Sequence, residues 1–287
     1  MTESSKKIAE HFVQNISDLV SLPDVGMRVY DMLDDPYFSA VNIGQLVGLD
    51  PGLSARLLRI VNSAYYGLQA QVDSIPHAIT VIGADDLRSL ILSTMTVSAF
   101  KNIPIEIIDM HRFWRHSLAT AVIAKLLARE CLYKRPERAF SWGMLHDIGE
   151  LVLLHQAPEP VGRALETYAA SGGNYFEIQQ EEIGCNHAEV GAALLRHWSL
   201  PDSVWVPIQH HLDPDYPTEF RLESALLHIA NAIASKCSPA RQVAAEDQLL
   251  QVRESAWELT KLSPHIVDPI IDESSDLFDD LTRLLTG

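Results

Sequence analysis

The chain has 287 residues, 47% of them hydrophobic and 21% charged, which suits a globular protein able to bury a substantial core. Its 22 Lys and Arg stand against 38 Asp and Glu, a formal charge of −16. Such a field repels phosphate backbones and anionic lipid, so it argues against nucleic acid and membrane surfaces and for a protein partner or a cation held by acidic and imidazole groups.

Cys131, Cys185 and Cys237 are odd in number, far apart and without CxxC spacing, as expected of free thiols in a reducing cytosol. The N-terminal residues hold no long apolar stretch, and no uncharged run of about 18 residues occurs anywhere. A cytoplasmic protein is expected. Of twelve histidines, nine lie between His111 and His228, a weak hint of metal whose value depends on their neighbours.

Taken in order, apolar residues recur at helical spacing throughout. Ile8, Phe12, Ile16 and Leu19 predict a helix over residues 1–21, broken at Leu22-Pro23. Val25, Val29, Met32 and Leu33 mark a second, closed by Asp34-Asp35-Pro36. Ser39 caps a third over 41–49. Asp50-Pro51 places an acceptor at the cap and proline at the first helical position, where its missing N–H costs nothing. Leu53, Leu57, Ile60, Val61 and Ala64 are the buried stripe of that fourth helix. Ser74-Ile75-Pro76 opens a fifth, ended by Gly83. Leu87, Leu90, Ile91, Met95 and Val97 carry a longer one toward Pro104.

The second half reads the same way. Phe113, Leu118, Ala121, Val122, Leu126 and Leu127 lie on a long helix ending near Glu130. Pro136 opens a helix that reaches His146-Asp147, and Leu151 to Leu154 continue as another. Ala157-Pro158-Glu159-Pro160 reads as a loop, as does Ser171-Gly172-Gly173-Asn174. Asn186 with Glu189 forms a capping box for a helix running to Trp198. A short helix follows Pro201 and ends at His210-His211, before a loop over 213–217. Residues 222–236, 247–262 and 269–285 complete an all-α chain, with a seam near 101–108. Two parts are expected, a small N-terminal helical module over 1–105 and a larger helical domain over 106–287.

Chemistry centres on Gly143-Met144-Leu145-His146-Asp147-Ile148-Gly149. Adjacent helical residues point about 100° apart, so His146 and Asp147 can bracket one ion or bridge two only if other helices contribute. His116, His187 and the pair His210-His211 are the candidates, on three further segments, an arrangement that a helical bundle can bring to one point. Neutral imidazole with carboxylate suits Fe, Mn, Zn or Ni. Each histidine alone is as well explained by a helix surface or a helix C-terminus. His111, His155, His197 and His265 fall outside this order. Arg56, Arg59, Asn62 and Tyr65, spaced by three, form either a solvated face or a docking surface.

Residues 50–67, DPGLSARLLRIVNSAYYG, together with Ser74-Ile75, Ala78-Ile79 and Ile82-Gly83, resemble the N-terminal signature of HDOD domains. Trp114-x-His116-Ser117, residues 143–149 and Trp198-x-Leu200-Pro201 match the rest of that family, over roughly residues 22–234. The resemblance implies a multi-helical, HD-domain-like bundle with a regulatory, signalling role. HDOD domains are similar in turn to the HD and HD-GYP phosphohydrolases, whose metals are held by His, then His-Asp, then further His, then a late Asp. His116, His146-Asp147, His187 and His210-His211 follow that order. Two positions depart from it: the late aspartate is Asn231, and Glu150 stands where a lysine would follow the His-Asp pair. An amide is a poor ligand for a divalent ion, and a carboxylate beside a phosphodiester would repel it. The expected protein binds a partner or a ligand and keeps a metal cage that does not turn over. The alternative is a metal-dependent phosphohydrolase of a nucleotide or cyclic dinucleotide.

Overall fold

Caps and prolines in the sequence set most helix boundaries. The computed structural model describes residues 2–17, 19–35, 37–105, 107–240 and 252–287. The first six helices are α1 (Glu3–Ile16), α2 (Asp24–Met32), α3 (Ala40–Val47), α4 (Pro51–Val61), α5 (Ile75–Ile82) and α6 (Ala84–Phe100). The next eight are α7 (Met110–Glu130), α8 (Glu137–Leu145), α9 (Ile148–Gln156), α10 (Pro158–Ser171), α11 (Tyr175–Ile183), α12 (His187–His197), α13 (Asp202–His210) and α14 (Arg221–Cys237). The chain closes with α15 (Glu254–Thr260), α16 (Val267–Ser274) and α17 (Phe278–Thr286). No strand occurs among the described residues. The all-α expectation holds.

Asp50 accepts from the Leu53 N–H at 3.0 Å, with Pro51 as the first residue of α4. Asn186 and Glu189 form the reciprocal capping box that starts α12. Gly83, at φ +86°, is the left-handed joint between α5 and α6.

Several expectations are corrected. The first helix stops at Ile16; Leu19 lies outside, 59% exposed, and Val20 is buried instead. Ala64 is exposed because α4 ends at Val61, where Asn62 leaves the helix to bind the Val72 carbonyl and N–H, each at 2.7 Å. Residues 157–160 are not a loop: Ala157 is the N-cap of α10, whose first turn tolerates Pro158 because its N–H would be unpaired anyway. Helix α11 lies outside the predicted elements. The last expected helix is two, α16 and α17, separated by a 3-10 turn at Ser275–Leu277. Of the helix expected over 247–262, residues 247–251 lie outside the described residues.

The main buried core runs from Ala9 to Leu285, and a smaller cluster joins Ala164, Tyr168 and Tyr175. Helix α7 is its axis, with α8, α14 and α17 against it. Lys125 of α7 forms a buried ion pair with Asp86 of α6. The Lys125 ammonium also lies 5.5 and 5.8 Å from the rings of Tyr65 and Tyr66. Tyr65 therefore packs inward, against Tyr66 and Phe140, while Arg56 donates to Ser98 Oγ at 2.9 Å. Of the four residues spaced by three on and after α4, Arg59 and Asn62 are the exposed ones.

Between α8 and α9 the helix breaks. His146 keeps right-handed helical angles, but Asp147 sits at φ −103°, ψ 3° and turns the chain. Two glycines flank the break because two helices cross there. A Cβ on Gly143 would stand 2.3 Å from Ala121 Cα on α7; one on Gly149 would stand 2.0 Å from the His187 carbonyl and 2.4 Å from Gly191 N on α12. The crossings bring His146-Asp147 within reach of both neighbouring helices. Substituting Gly149→Ala should lower stability by about 1–3 kcal/mol or more, since backbone must move. Gly162→Ala, in open space on α10, should be neutral or stabilising by up to about 1 kcal/mol. Urea unfolding of the two variants compares them; a Gly149→Ala protein as stable as the Gly162→Ala protein contradicts the close crossing.

Candidate metal centre

Five of the six predicted ligands meet at the α8–α9 break. His116 comes from the second turn of α7, His146 and Asp147 from the break, His187 from the first turn of α12, and His211 from the residue after α13. All five are buried, Asp147 being 4% exposed and His146 and His211 fully enclosed. The sixth, His210, is not brought in. Its ring stacks on Tyr216 with centroids 4.1 Å apart and planes at 9°, and its Nε2 meets Gln209 Nε2 at 3.1 Å. Consecutive residues leave the end of α13 on different sides, so only His211 reaches the centre.

Asp147 lies in the middle. His146 Nε2 and His187 Nε2 are 3.3 and 3.5 Å from its Oδ1, and His116 Nε2 is 3.8 Å from its Oδ2. The outer nitrogens are all engaged. His146 Nδ1 contacts the Gly143 carbonyl at 2.8 Å, His211 Nδ1 that of Ile208 at 2.7 Å, and His116 Nδ1 that of Ser238 at 2.9 Å. His187 Nδ1 contacts Gln179 Oε1 at 2.6 Å. A carbonyl oxygen only accepts, so each Nδ1 carries a proton and donates it outward. Metal-binding histidines are oriented in this way, by a partner on the far nitrogen.

Glu150 explains how the fourth of these contacts is fixed, and it corrects an expectation. The carboxylate does not face a phosphate position. It is buried, accepting from Tyr175 O–H at 2.6 Å and Gln179 Nε2 at 2.5 Å. That second bond sets the Gln179 amide, so that Oε1 receives both the His187 backbone N–H, at 3.1 Å, and Nδ1–H. Tyr175 and Gln179 belong to α11 and were missed; their i, i+4 spacing is their one sequence sign, and it is common on any helix.

The electrostatics favour a cation. Burial pushes the Asp147 carboxyl up, but the imidazoles of His146, His187 and His116 outweigh it and hold the acid well below the usual carboxylate range. Burial drives His211 the other way, well below the ordinary imidazole value, helped by His146 and His187. A neutral His211 therefore faces a carboxylate at pH 7. His211 Nε2 is buried with no hydrogen-bond partner among the described residues. An enclosed lone pair beside an ionised carboxylate is what a divalent cation satisfies, and the residues present fit one.

Asn231, on α14, also adjoins the centre, with Oδ1 3.1 Å from His116 Nε2. The centre opens on a cavity of about 160 Å³ whose lining includes Tyr168, Tyr175, Phe176, Asn174 and Arg253. Arg253 is held by Asp213 and Asp215, each at 2.9 Å.

With this geometry in view, comparison with known proteins is direct. The sequence pattern of the HDOD domain matches residues 19–214, over half of the chain. The chain belongs to the HDOD family. An HDOD domain protein from Geobacter sulfurreducens, of unknown function, superposes with a TM-score of 0.80 over 99% of this chain and 97% of its own, at 22% identity. A Shewanella amazonensis protein bearing a provisional phosphohydrolase name superposes with a TM-score of 0.76 over 99% of both chains, at 24% identity. These likenesses establish the HDOD fold. In sequence, an uncharacterized protein of Treponema pallidum (strain Nichols) is 27% identical over 232 residues, 78% of this chain. The chain spans 44% of the length of that curated relative.

Two outcomes follow from the centre. Gln179→Ala removes the partner on His187 Nδ1 and should weaken metal affinity by about 10–100-fold, as loss of an orienting partner does. Competition with a chelator measures it, and unchanged affinity would separate Gln179 from the centre. The second concerns acid. His210 is pushed down to about 4 and His211 also lies below its ordinary 6.5, in both cases chiefly by burial. Below about pH 6.5 the unfolded chain therefore binds protons that the folded chain refuses, so metal-free stability should fall as pH drops from about 6.5 towards 4. Denaturation midpoints across that range should decline, and a flat profile would contradict the buried neutral rings.

Proposed function

We propose that this HDOD protein works as a cytoplasmic regulatory module that binds a protein partner or a ligand, with its metal centre serving to shape and hold the bundle rather than to turn over substrate. No helix among the described residues is long and apolar enough to cross a membrane, in keeping with that setting. One observation carries the reading: Asn231 places an amide against His116, where a carboxylate would complete a charged cage. An amide neither adds negative charge nor takes a proton from water at neutral pH.

Asp147, His146, His187 and His211 are the residues that would hold the ion. A bound divalent ion supplies Lewis-acid charge, able to polarise a phosphoryl or carbonyl oxygen. Asp147 provides the compensating anion, and the outward Nδ1 contacts keep three rings aimed at it. In the cavity, Tyr168, Tyr175 and Phe176 give an aromatic wall, whereas the charge of Arg253 is already matched by Asp213 and Asp215. Neutralised in this way, Arg253 offers a phosphate little.

Phosphohydrolase activity is the second reading, favoured by Glu150. Because that carboxylate is buried on Tyr175 and Gln179, it does not repel an anion in the cavity. The deciding experiment has two arms. Protein purified without chelator should contain Fe, Mn, Zn or Ni, and a His146→Ala, Asp147→Ala variant should contain none; absence of metal under every loading condition overturns the centre. The metal-loaded protein should leave phosphomonoesters, phosphodiesters and cyclic dinucleotides uncut. Hydrolysis lost in the same double variant would establish the enzyme instead.

A further inference from the structure

Arg56 reaches from α4 to α6 without a carboxylate partner among the described residues. Its guanidinium is half-buried: one terminal nitrogen donates to Ser98 Oγ at 2.9 Å, while Nε is enclosed with no hydrogen-bond partner among the described residues. Beside it stands a second unsatisfied group. Ser93 and Thr96 on α6 return their hydroxyls to the carbonyls of Ser89 and Leu92, at 2.7 and 2.9 Å. Thr94, between them, does not. It is 2% exposed, and its Oγ1 is buried without a partner among the described residues.

Both groups line one cavity of about 110 Å³, which shares no residue with the cavity at the metal centre. A water takes about 30 Å³ of liquid, so there is room for roughly four waters or one oxyanion of five heavy atoms. Gly52 adds a third donor, since the N–H groups of a helix's first turn have no partner within the helix. A guanidinium, a hydroxyl and a helix N-terminus together suit an anion. Asp50 then decides which one. Its carboxylate lines the same cavity, with Oδ1 taken by the Leu53 N–H and Oδ2 left as an acceptor. Sulfate and ionised carboxylates bring acceptors alone, and Asp50 repels them. Phosphate near neutral pH keeps at least one O–H, which Asp50 can accept.

We infer that the protein binds one inorganic phosphate ion in this cavity, with Arg56 and Thr94 donating to its oxygens and Asp50 accepting from its hydroxyl. The overall charge of −16 opposes any anion, so the selection rests on these local groups. The site belongs to the N-terminal helices and does not depend on an occupied metal centre.

Isothermal titration calorimetry of the full chain tests this, with sodium phosphate at pH 7 and then with sodium sulfate. Wild type should take one phosphate and favour it over sulfate by about tenfold or more, as a buried mismatch of acceptors dictates. Arg56→Gln should weaken phosphate by about 10–100-fold, the loss expected of a charged donor. Thr94→Val should weaken it by a smaller factor without lowering stability, because an unpartnered hydroxyl gives way to a methyl group of the same shape. Asp50→Asn keeps the cap of α4 and should bring sulfate to within a few-fold of phosphate. Circular dichroism identifies any variant that has not folded, and Thr94→Val decides the matter if Arg56→Gln fails. No phosphate bound by wild type overturns the inference. So do equal affinities of wild type for phosphate and sulfate, or phosphate affinity unchanged in a folded Arg56 or Thr94 variant. Phosphate held at the metal centre instead would be lost in the His146→Ala, Asp147→Ala variant and untouched by Arg56→Gln, and that result also overturns it.

Discussion

A carboxylate with almost no access to water has to be compensated from within the protein. Asp147 is that carboxylate, and most of the surrounding architecture answers to it. Moving such a group out of water costs several kcal/mol unless positive charge or hydrogen bonds replace the solvent. Here the replacement comes from the imidazoles of His116, His146 and His187, borne on α7, the α8–α9 break and α12. Each ring is fixed by a contact on its outer nitrogen, so the bundle spends backbone carbonyls and one glutamine on orientation. Those carbonyls lie at or near helix C-termini, where acceptors are left over by the helix itself.

The Glu150–Gln179–His187 chain shows how a charge of the wrong sign for catalysis can be right for structure. A carboxylate next to the His-Asp pair looks disruptive in a linear reading. In three dimensions α9 turns it towards α11, where a phenol and an amide satisfy it and the amide passes the orientation on. Asp147 is the N-cap of α9 and Glu150 lies in its first turn, yet the two carboxylates meet different partners, Asp147 the histidines and Glu150 Tyr175 and Gln179.

Much of the fold is legible from local chemistry. Asp50-Pro51, the Asn186–Glu189 box and Gly83 mark helix ends through mechanisms that act within four residues, and those ends appear where expected. Failures occur where tertiary contacts decide. Asn62 ends α4 early because the chain at Val72 offers it a carbonyl and an N–H, which no window around residue 62 contains. Pro158 and Pro160 look like loop residues until α10 is seen to begin at them. The centre divides likewise: order along the chain points to His116, His146, Asp147, His187 and His211, and to His210 with them, because sequence cannot say which of two adjacent rings faces inward. Gln179 and Tyr175 were out of reach, since their role depends on how α11 docks.

Gly143 and Gly149 answer to a different master from the residues between them. They are required by two helix crossings in which no side chain fits, whatever the intervening histidine and aspartate do. A descendant of this chain that lost every metal ligand would still need both glycines to close its core. The glycine frame of the motif therefore records ancestry and shape more durably than it records chemistry, and a chain bearing that frame has its fold vouched for before its reactivity has been asked about.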